Sequence, residues 1–212
     1  MDPQPSDLVV KHLGPSAVRS PLNLSTIPDD EIADFVADDQ RVLLRAELRA
    51  GETPDATLAL EKAGPRELVH FRPEEVKAAI VTCGGLCPGL NAVIRSIVLE
   101  LYHGYGVRSI LGFQFGYGGL DPATPHQPLP LGLETVRNVH KLGGSILGCA
   151  RGGPPAATMV DTLERLGVNV LFTLGGDGTQ KGAHAIHEEI ARRGLRIGVI
   201  GVPKTIDNDV AF

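Results

Sequence analysis

The chain has 212 residues, of which 42% are hydrophobic and 21% are charged, and its mean hydropathy is close to zero. This length and balance fit a soluble globular class with a sizeable core, and exclude a wholly disordered chain and a membrane protein. Residues 1–75 carry 8 Lys and Arg against 15 Asp and Glu, whereas residues 76–212 carry 12 against 10. An acidic leader before a mildly basic body, with 4% aromatic residues and no Trp, argues against nucleic-acid binding and fits a body that handles small anions.

The start of the chain and its cysteines indicate a compartment. Met-Asp-Pro-Gln-Pro has neither the basic nor the apolar region of a signal peptide, and the longest mostly apolar runs are far shorter than a bilayer span. Cys83, Cys87 and Cys149 are an odd and small set for a secreted disulfide framework. We therefore expect a cytoplasmic protein with reduced thiols and no membrane association.

Residues 1–75 are expected to form an acidic N-terminal extension. Residues 1–27 contain scattered Pro, Ser and Asp without a sustained period, which predicts an extended or weakly ordered arm. Residues 29–48 place aliphatic side chains at spacings compatible with one or two short amphipathic helices.

From residue 76 onward, predicted strands alternate with predicted helices. Short aliphatic runs closely followed by Gly or Pro predict four buried strands, over 78–82, 107–113, 168–174 and 195–201. Helices are predicted over 90–101 with Gly104 as the stop, over 158–166 with Thr158 as the cap, and over 179–193 with Gly194 as the stop. This alternation predicts an α/β fold with a parallel sheet and helices on both faces, whose ligands bind beyond the carboxyl ends of the strands.

Two glycine-rich loops join a predicted strand to a predicted helix. Residues 82–91 (Thr-Cys-Gly-Gly-Leu-Cys-Pro-Gly-Leu-Asn) and 174–180 (Leu-Gly-Gly-Asp-Gly-Thr-Gln) let backbone N–H groups approach an anion at a helix N-terminus. The first loop matches neither a P-loop nor a dinucleotide fingerprint, and a tight turn is its plain alternative. In the second, Asp177 stands where a Mg²⁺ bridging phosphate oxygens would be held, although a helix N-cap explains the same residue.

A third loop, residues 202–209 (Val-Pro-Lys-Thr-Ile-Asp-Asn-Asp), follows the last predicted strand. Asp207 and Asp209, beside the cation of Lys204 and the hydroxyl of Thr205, suit proton abstraction from an alcohol that attacks a phosphoryl group. An exposed turn rich in Asp and Asn is the structural alternative.

Together these segments resemble the phosphofructokinase family. The matching segments occur in the family's order: Gly84-Gly85 with Pro88-Gly89-Leu90-Asn91, Gly-Tyr-Gly-Gly-Leu at 116–120, Gly-Gly-Ser-Ile-Leu-Gly-Cys-Ala-Arg at 143–151, Gly-Gly-Asp-Gly-Thr at 175–179 and Pro-Lys-Thr-Ile-Asp-Asn-Asp at 203–209. The resemblance covers about residues 76–212 and implies a Rossmann-like, donor-binding domain, while the extension looks like the leader of the long, pyrophosphate-enzyme-like branch. The family's catalytic unit continues into a second, sugar-phosphate-binding half, so we expect this stretch to be the N-terminal portion and poorly active alone.

The resemblance implies the glycolytic phosphoryl transfer, with Mg²⁺, from ATP to the 1-hydroxyl of fructose 6-phosphate, giving fructose 1,6-bisphosphate. Asp207 matches the family's general base, with Thr205 near the sugar and Asp209 on the metal and phosphate side. Asp177 matches the Mg²⁺ ligand, and Arg151 matches the arginine that offsets charge on the transferring group, although a surface ion pair would also explain it. The residues implied on the donor side, besides Arg151, are Gly85, Tyr117, Gly176, Gly178, Thr179 and Lys204, of which Tyr117 has plain packing as its alternative.

Two positions bear on the phosphoryl donor. Pyrophosphate-using relatives typically have a second Asp after the residue that matches Asp177, which would crowd and repel a nucleotide's α-phosphate; here the residue is Gly178. Lys204 is typical of pyrophosphate users, but it also occurs in ATP-using members of the long branch. Because an added side chain and charge exclude ATP directly whereas a lysine need not, the sequence favours ATP, with a pyrophosphate-dependent enzyme as the alternative.

Two other function classes stay open. The loop 175–179 also looks like that of NAD kinases and lipid kinases, but those enzymes do not share the segment 203–209. A non-catalytic regulatory subunit would be suggested by loss of Asp177 or Asp207, and both are present. Since phosphofructokinases are generally oligomers, a homo-oligomer is expected.

Overall fold

The computed structural model describes residues 3–45 and 47–205. The chain divides into two compact units, Met1–Phe71 and Arg72–Phe212. The described residues of the first unit form a 3-10 turn, Pro5–Leu8, and four short strands. The strands form two antiparallel pairs, β1 (Val18–Arg19) with β4 (Leu68–Val69) and β2 (Arg41–Leu43) with β3 (Ala59–Glu61).

The helices predicted over 29–48 are wrong, because local side chains capture backbone groups there. A carboxylate oxygen of Asp30 accepts from Ile32 N at 3.0 Å, and the side-chain oxygen of Gln40 accepts from Ala37 N at 3.3 Å. Such side-chain turns compete with helix formation. Residues 41–43 then pair with a strand farther along the chain, and the predicted arm over 1–27 is likewise tied down by pairing at β1.

The second unit is built on a five-stranded sheet with the order β7-β6-β5-β8-β9. Its strands are β5 (Lys77–Thr82), β6 (Ser109–Phe113), β7 (Leu129–Pro130), β8 (Val170–Gly175) and β9 (Gly198–Pro203). The pairs formed by β6, β5, β8 and β9 are parallel, which confirms the four predicted strands. The two-residue β7 pairs antiparallel with β6 and was not predicted, since it is short and contains a proline, which suits only a sheet edge.

Within residues 72–205, four α-helices accompany the sheet: α1 (Leu90–Leu99), the unpredicted α2 (Leu133–Val136), α3 (Ala156–Arg165) and α4 (Asp177–Arg193). Helix α1 runs into a π-helical turn, Glu100–Gly104, so the helical run ends at Gly104 as predicted, but the left-handed conformation predicted there is wrong and belongs to Gly106. Helix α3 begins before Thr158, with Pro155 at its N-cap. Helix α4 ends at Gly194, whose φ of 65° fits the predicted left-handed stop.

The helices cover both faces of the sheet. Ala79 and Val81 of β5 belong to a core that contains Leu163 of α3 and Ile186 of α4. The alternate β5 side chains, among them Ile80, lie in a second core with residues of α1 and α2. Because successive strand residues point to opposite faces, the two cores confirm the predicted layers.

The strand order fixes where a ligand crevice lies. The chain passes from β5 through α1 to β6 on one side, and then returns to place β8 on the other side of β5. Open α/β sheets bind ligands at such a reversal, beyond the carboxyl ends of the strands. Among residues 3–45 and 47–205, no helix is both long and apolar enough to cross a bilayer.

Candidate functional site

The three loops singled out in the sequence converge at the carboxyl ends of β5, β8 and β9. Cys83 N donates to Leu174 O at 2.9 Å, which joins the ends of β5 and β8. Lys204 N donates to Gly175 O at 3.0 Å, and its ammonium Nζ donates to Gly85 O at 2.6 Å. Lys204 therefore connects all three loops, and its side chain puts a cation against the loop that follows β5.

Two exposed glycines in these loops are not required by the packing of the chain. A Cβ added at Gly85 or at Gly178 would meet no atom within 4 Å, and neither residue has a positive φ. By contrast, a Cβ at Gly175 would lie 2.2 Å from the Thr179 hydroxyl oxygen, so that glycine is needed for packing. Open space above Gly85 and Gly178 suits the close approach of a ligand to the backbone.

Asp177 is the first residue of α4, and its carboxylate is exposed. Lys181, one turn later, donates to this carboxylate at 2.7 Å. Among the described residues, no group of three or more His, Cys, Asp or Glu side chains could hold a metal ion. Mg²⁺ commonly takes one or two carboxylates and completes its shell with water and substrate phosphates, so a single exposed carboxylate next to the open glycine at 178 fits such an ion.

Tyr117 is buried, and its role is to position α4. Its hydroxyl donates to Thr179 O at 2.7 Å, its ring fills the space in front of Gly182, and its Cβ and backbone lie against Gly153. Burial raises the pKa of the Tyr117 phenol, so this group stays protonated and keeps donating. The ring of Tyr117 is therefore a packing residue, as the alternative interpretation held. Tyr117 can affect a bound donor only through its hydrogen bond to the backbone of Thr179.

Thr179 and Gly176 also act through the backbone. The Thr179 side chain is buried, whereas Thr179 N donates to Gly176 O at 2.9 Å and helps to begin α4. Gly176 is the N-cap, and a Cβ there would lie 3.4 Å from Lys204 O. That distance is an ordinary van der Waals contact, so the packing of the chain does not by itself require glycine at the N-cap.

Arg151 directly follows a residue that is held against the loop after β5. Ala150 forms an isolated parallel bridge with Cys83, and Gly84 N donates to Ala150 O at 2.9 Å. Arg151 itself is exposed. The structure thus brings this guanidinium-bearing residue to the same edge of the sheet as Gly85.

Two buried polar residues support this edge; the sequence placed both in the first glycine-rich loop but indicated no role for either. Asn91 donates from Nδ2 to Leu142 O at 3.1 Å and accepts from Ile146 N at 2.8 Å. Thr82 donates from its hydroxyl to Gly148 O at 2.6 Å. Both therefore fix the glycine-rich segment that leads to Arg151. The role of Asn91 could have been suspected from the sequence, because it is a polar residue on the apolar face of a predicted helix.

The three cysteines are free thiols. Burial raises the pKa of Cys83 to about 12, which makes its thiolate a negligible species at neutral pH. The half-buried Cys87 directs its sulfur toward Thr205 O at 3.8 Å. This weak contact brings the backbone of Thr205 near the loop after β5, whereas Asp207 and Asp209 lie outside the described residues.

Comparison with known proteins gives the family. A family model described as Phosphofructokinase matches residues 77–212. The ATP-dependent 6-phosphofructokinase of Borreliella burgdorferi is 56% identical over 153 residues, which are 72% of this chain and 34% of that protein. The ATP-dependent 6-phosphofructokinase 5, chloroplastic, of Arabidopsis thaliana is 47% identical over 193 residues, 86% of this chain and 36% of that protein. The ATP-dependent 6-phosphofructokinase of Trypanosoma cruzi is 54% identical over 155 residues, which are 73% of this chain and 32% of that protein.

Solved structures agree with the fold. The phosphofructokinase from Saccharomyces cerevisiae superposes with a TM-score of 0.54 at 27% identity, over 63% of this chain and 20% of that chain. A pyrophosphate-dependent phosphofructokinase from Marinobacter aquaeolei gives a TM-score of 0.53 at 20% identity, over 63% of this chain and 34% of that chain, and shares the fold. The chain spans about a third of the length of the curated relatives named above. With the family match covering the whole of the sheet and its loops, the chain belongs to the phosphofructokinase family.

Proposed function

We propose that the full-length protein is a Mg²⁺-dependent 6-phosphofructokinase that transfers the γ-phosphoryl group of ATP to the 1-hydroxyl of fructose 6-phosphate. The observation that carries the choice of donor is Gly178, which is exposed in the first turn of α4 and has no atom within 4 Å of its missing Cβ. A nucleotide's α-phosphate can use that space, whereas pyrophosphate has no such group. The curated relatives from Borreliella burgdorferi, Arabidopsis thaliana and Trypanosoma cruzi, all named as ATP-dependent enzymes, support the same choice.

On the donor side, backbone groups and two cations receive the phosphates. Gly85 leaves open space beside the backbone of the loop after β5, where a phosphate would approach its N–H, and the N-terminus of α4 adds partial positive charge. Lys204 supplies an ammonium between these two elements. Arg151 supplies a guanidinium that balances charge on the transferring group as it leaves the donor.

Asp177 would hold the Mg²⁺, because its carboxylate is exposed at the mouth of the same crevice. The ion supplies charge neutralisation of the donor's phosphate oxygens when it is bound. Gly176 and Thr179 keep the backbone around Asp177 in place through the first hydrogen bonds of α4.

On the acceptor side, Asp207 would accept the proton of the 1-hydroxyl as that oxygen attacks the phosphoryl group. Thr205 would bind near the sugar, and Asp209 would support the metal and phosphate side. These roles come from the family resemblance of residues 203–209, because Asp207 and Asp209 lie outside the described residues.

The remaining features of the proposal concern the whole protein. Residues 76–212 would be the donor-binding domain and residues 1–75 an acidic extension, with the sugar-phosphate-binding half supplied by further sequence. A homo-oligomer in the cytoplasm, without nucleic acid or membrane as partners, completes the proposal.

The decisive test measures fructose 1,6-bisphosphate formation by the full-length protein with Mg²⁺ and either ATP or pyrophosphate. Turnover with ATP alone is expected, and Asp207→Ala should abolish it, because the hydroxyl proton then has no acceptor. Turnover with pyrophosphate alone would reverse the donor assignment. Absence of turnover with both donors would favour a regulatory subunit instead.

Pyrophosphate dependence is the second candidate because of one contact. Lys204 Nζ lies 2.6 Å from Gly85 O, so a compact cation already occupies the donor loop, where it can compensate for missing nucleotide contacts. We rank it below ATP because a lysine does not exclude a nucleotide, whereas an Asp at position 178 would.

A further inference from the structure

Lys181 is the nearest cation to the proposed metal ligand. Its Nζ donates to a carboxylate oxygen of Asp177 at 2.7 Å, across one turn of α4. The Lys181 side chain is 77% exposed and that of Asp177 is 68% exposed. Ion pairs of this kind on a helix surface contribute little to stability, so the pair is easily exchanged for other partners.

The surroundings place this pair at the ligand crevice rather than on an unrelated helix face. The opposite side of the helix packs into the core, where a Cβ at Gly182 would lie 2.4 Å from the ring of Tyr117. Gly178 lies between the two charged residues in sequence and leaves open space beside them. Asp177 and Lys181 therefore both face the solvent near the space that the proposed function assigns to the donor phosphates.

One carboxylate cannot serve an ammonium and a divalent cation equally well. When Asp177 binds Mg²⁺, its bond with Lys181 is weakened or lost, and the ammonium is then without the one side-chain hydrogen bond that it makes in the part of the chain that the structure describes. Lysine has a flexible four-carbon stem and three donors, so it can turn from a carboxylate to a nearby phosphate oxygen without a change of backbone. The donor brings phosphate oxygens to the same space, so a new anion is available to the ammonium once the metal has taken Asp177.

We propose that Lys181 is a donor-binding residue that exchanges partners: it pairs with Asp177 in the empty site and binds a phosphate oxygen of the nucleoside triphosphate in the loaded site. This inference rests on the proposed function, because it takes Asp177 as the metal ligand. It adds a residue outside the motifs that carried the donor assignment, and it predicts opposite effects on the two ligands.

The test uses the full-length protein and the variants Lys181→Met and Lys181→Arg. Mn²⁺ binding without nucleotide is followed by electron paramagnetic resonance, and ATP binding in the presence of Mg²⁺ is followed by calorimetry. Lys181→Met should bind Mn²⁺ about twofold more tightly, since an ion pair between neighbouring helix turns competes with the metal by about that factor. It should bind ATP about tenfold more weakly, since a charge-assisted hydrogen bond to phosphate is lost. Lys181→Arg should restore ATP binding.

Arg137→Met is the matched control, because it removes an exposed helix ion pair, that with Glu134 at 2.6 Å, outside the donor loops. It should leave both affinities unchanged. If Lys181→Met weakens both ligands or changes neither, the exchange is refuted, because a purely structural pair predicts one of those results. If the unaltered protein binds neither Mn²⁺ nor ATP, the proposed function itself fails, and the two failures are thereby distinguished.

Discussion

Gly178 offers a test in which stability and donor choice are expected to separate. The residue is exposed in the first turn of α4, its φ is not positive, and an added Cβ meets nothing within 4 Å. Alanine is favoured over glycine in helices and restricts the unfolded chain, so Gly178→Ala should raise the free energy of unfolding by about 0.5–1 kcal/mol. For a chain of this size, that change raises Tm by about 1–4 °C.

Gly178→Asp adds a carboxylate at the same place. Attraction to the N-terminus of α4 and repulsion from Asp177 oppose one another, so stability should stay close to that of the unaltered protein. A second negative charge about 4 Å from a nucleotide's α-phosphate costs about 1 kcal/mol in a water-like environment and more in a partly buried one. The KM for ATP should therefore rise by at least about fivefold, whereas Gly178→Ala should change it much less.

Thermal unfolding and steady-state kinetics of the full-length protein measure both effects. Gly182→Ala is the control for stability, because its Cβ would clash with the Tyr117 ring and should lower Tm. The reasoning fails if Gly178→Ala destabilises the protein. It also fails if the alanine and aspartate variants raise the KM for ATP equally, since charge would then have no part in donor choice.

Other predictions concern the supports of the site. Asn91→Ala removes two buried hydrogen bonds and should lower the free energy of unfolding by about 2–4 kcal/mol in urea, whereas the exposed Asn138→Ala should change it little. Lys204→Met removes the bond to Gly85 O and should speed amide hydrogen exchange in the loop after β5, an expectation refuted by unchanged exchange. Two neighbouring arginines of α4 lower the pKa of Glu189 from 4.5 to about 2, so this carboxylate stabilises the folded state above pH 4.5 and its contribution is lost as the pH falls through about 2. Glu189→Gln should therefore lose less stability than the unaltered protein between pH 4.5 and 2, measured by acid unfolding.

Much of the second unit could be predicted because its signals are local. The β5, β6, β8 and β9 strands are short apolar runs closely followed by glycine or proline, and a run of that kind needs no distant partner to be recognised. The stop of α4 at Gly194 follows from the left-handed conformation that glycine tolerates. The convergence of the loops after β5 and β8 also follows from the alternation of strands and helices, through the general rule for parallel sheets.

The sequence was a poor guide wherever the decisive partner is distant along the chain. Residues 41–43 have helical spacing but pair with Ala59–Glu61, so tertiary pairing overrides the local pattern. Tyr117 lies in a glycine-rich motif that suggests ligand contact, yet its ring is buried and its hydroxyl holds Thr179. Only the assembled sheet shows which motif residues face the crevice and which face the core.

For this protein, the sequence by itself determined the order of the four parallel strands and of α1, α3 and α4, and the residue types available for phosphate chemistry. The tertiary structure alone decided that Lys204 reaches Gly85, that Lys181 pairs with Asp177, and that Gly178 faces open space. The physical reason is that periodicity and glycine content act within a few residues, whereas a side chain's partners depend on which strands lie side by side.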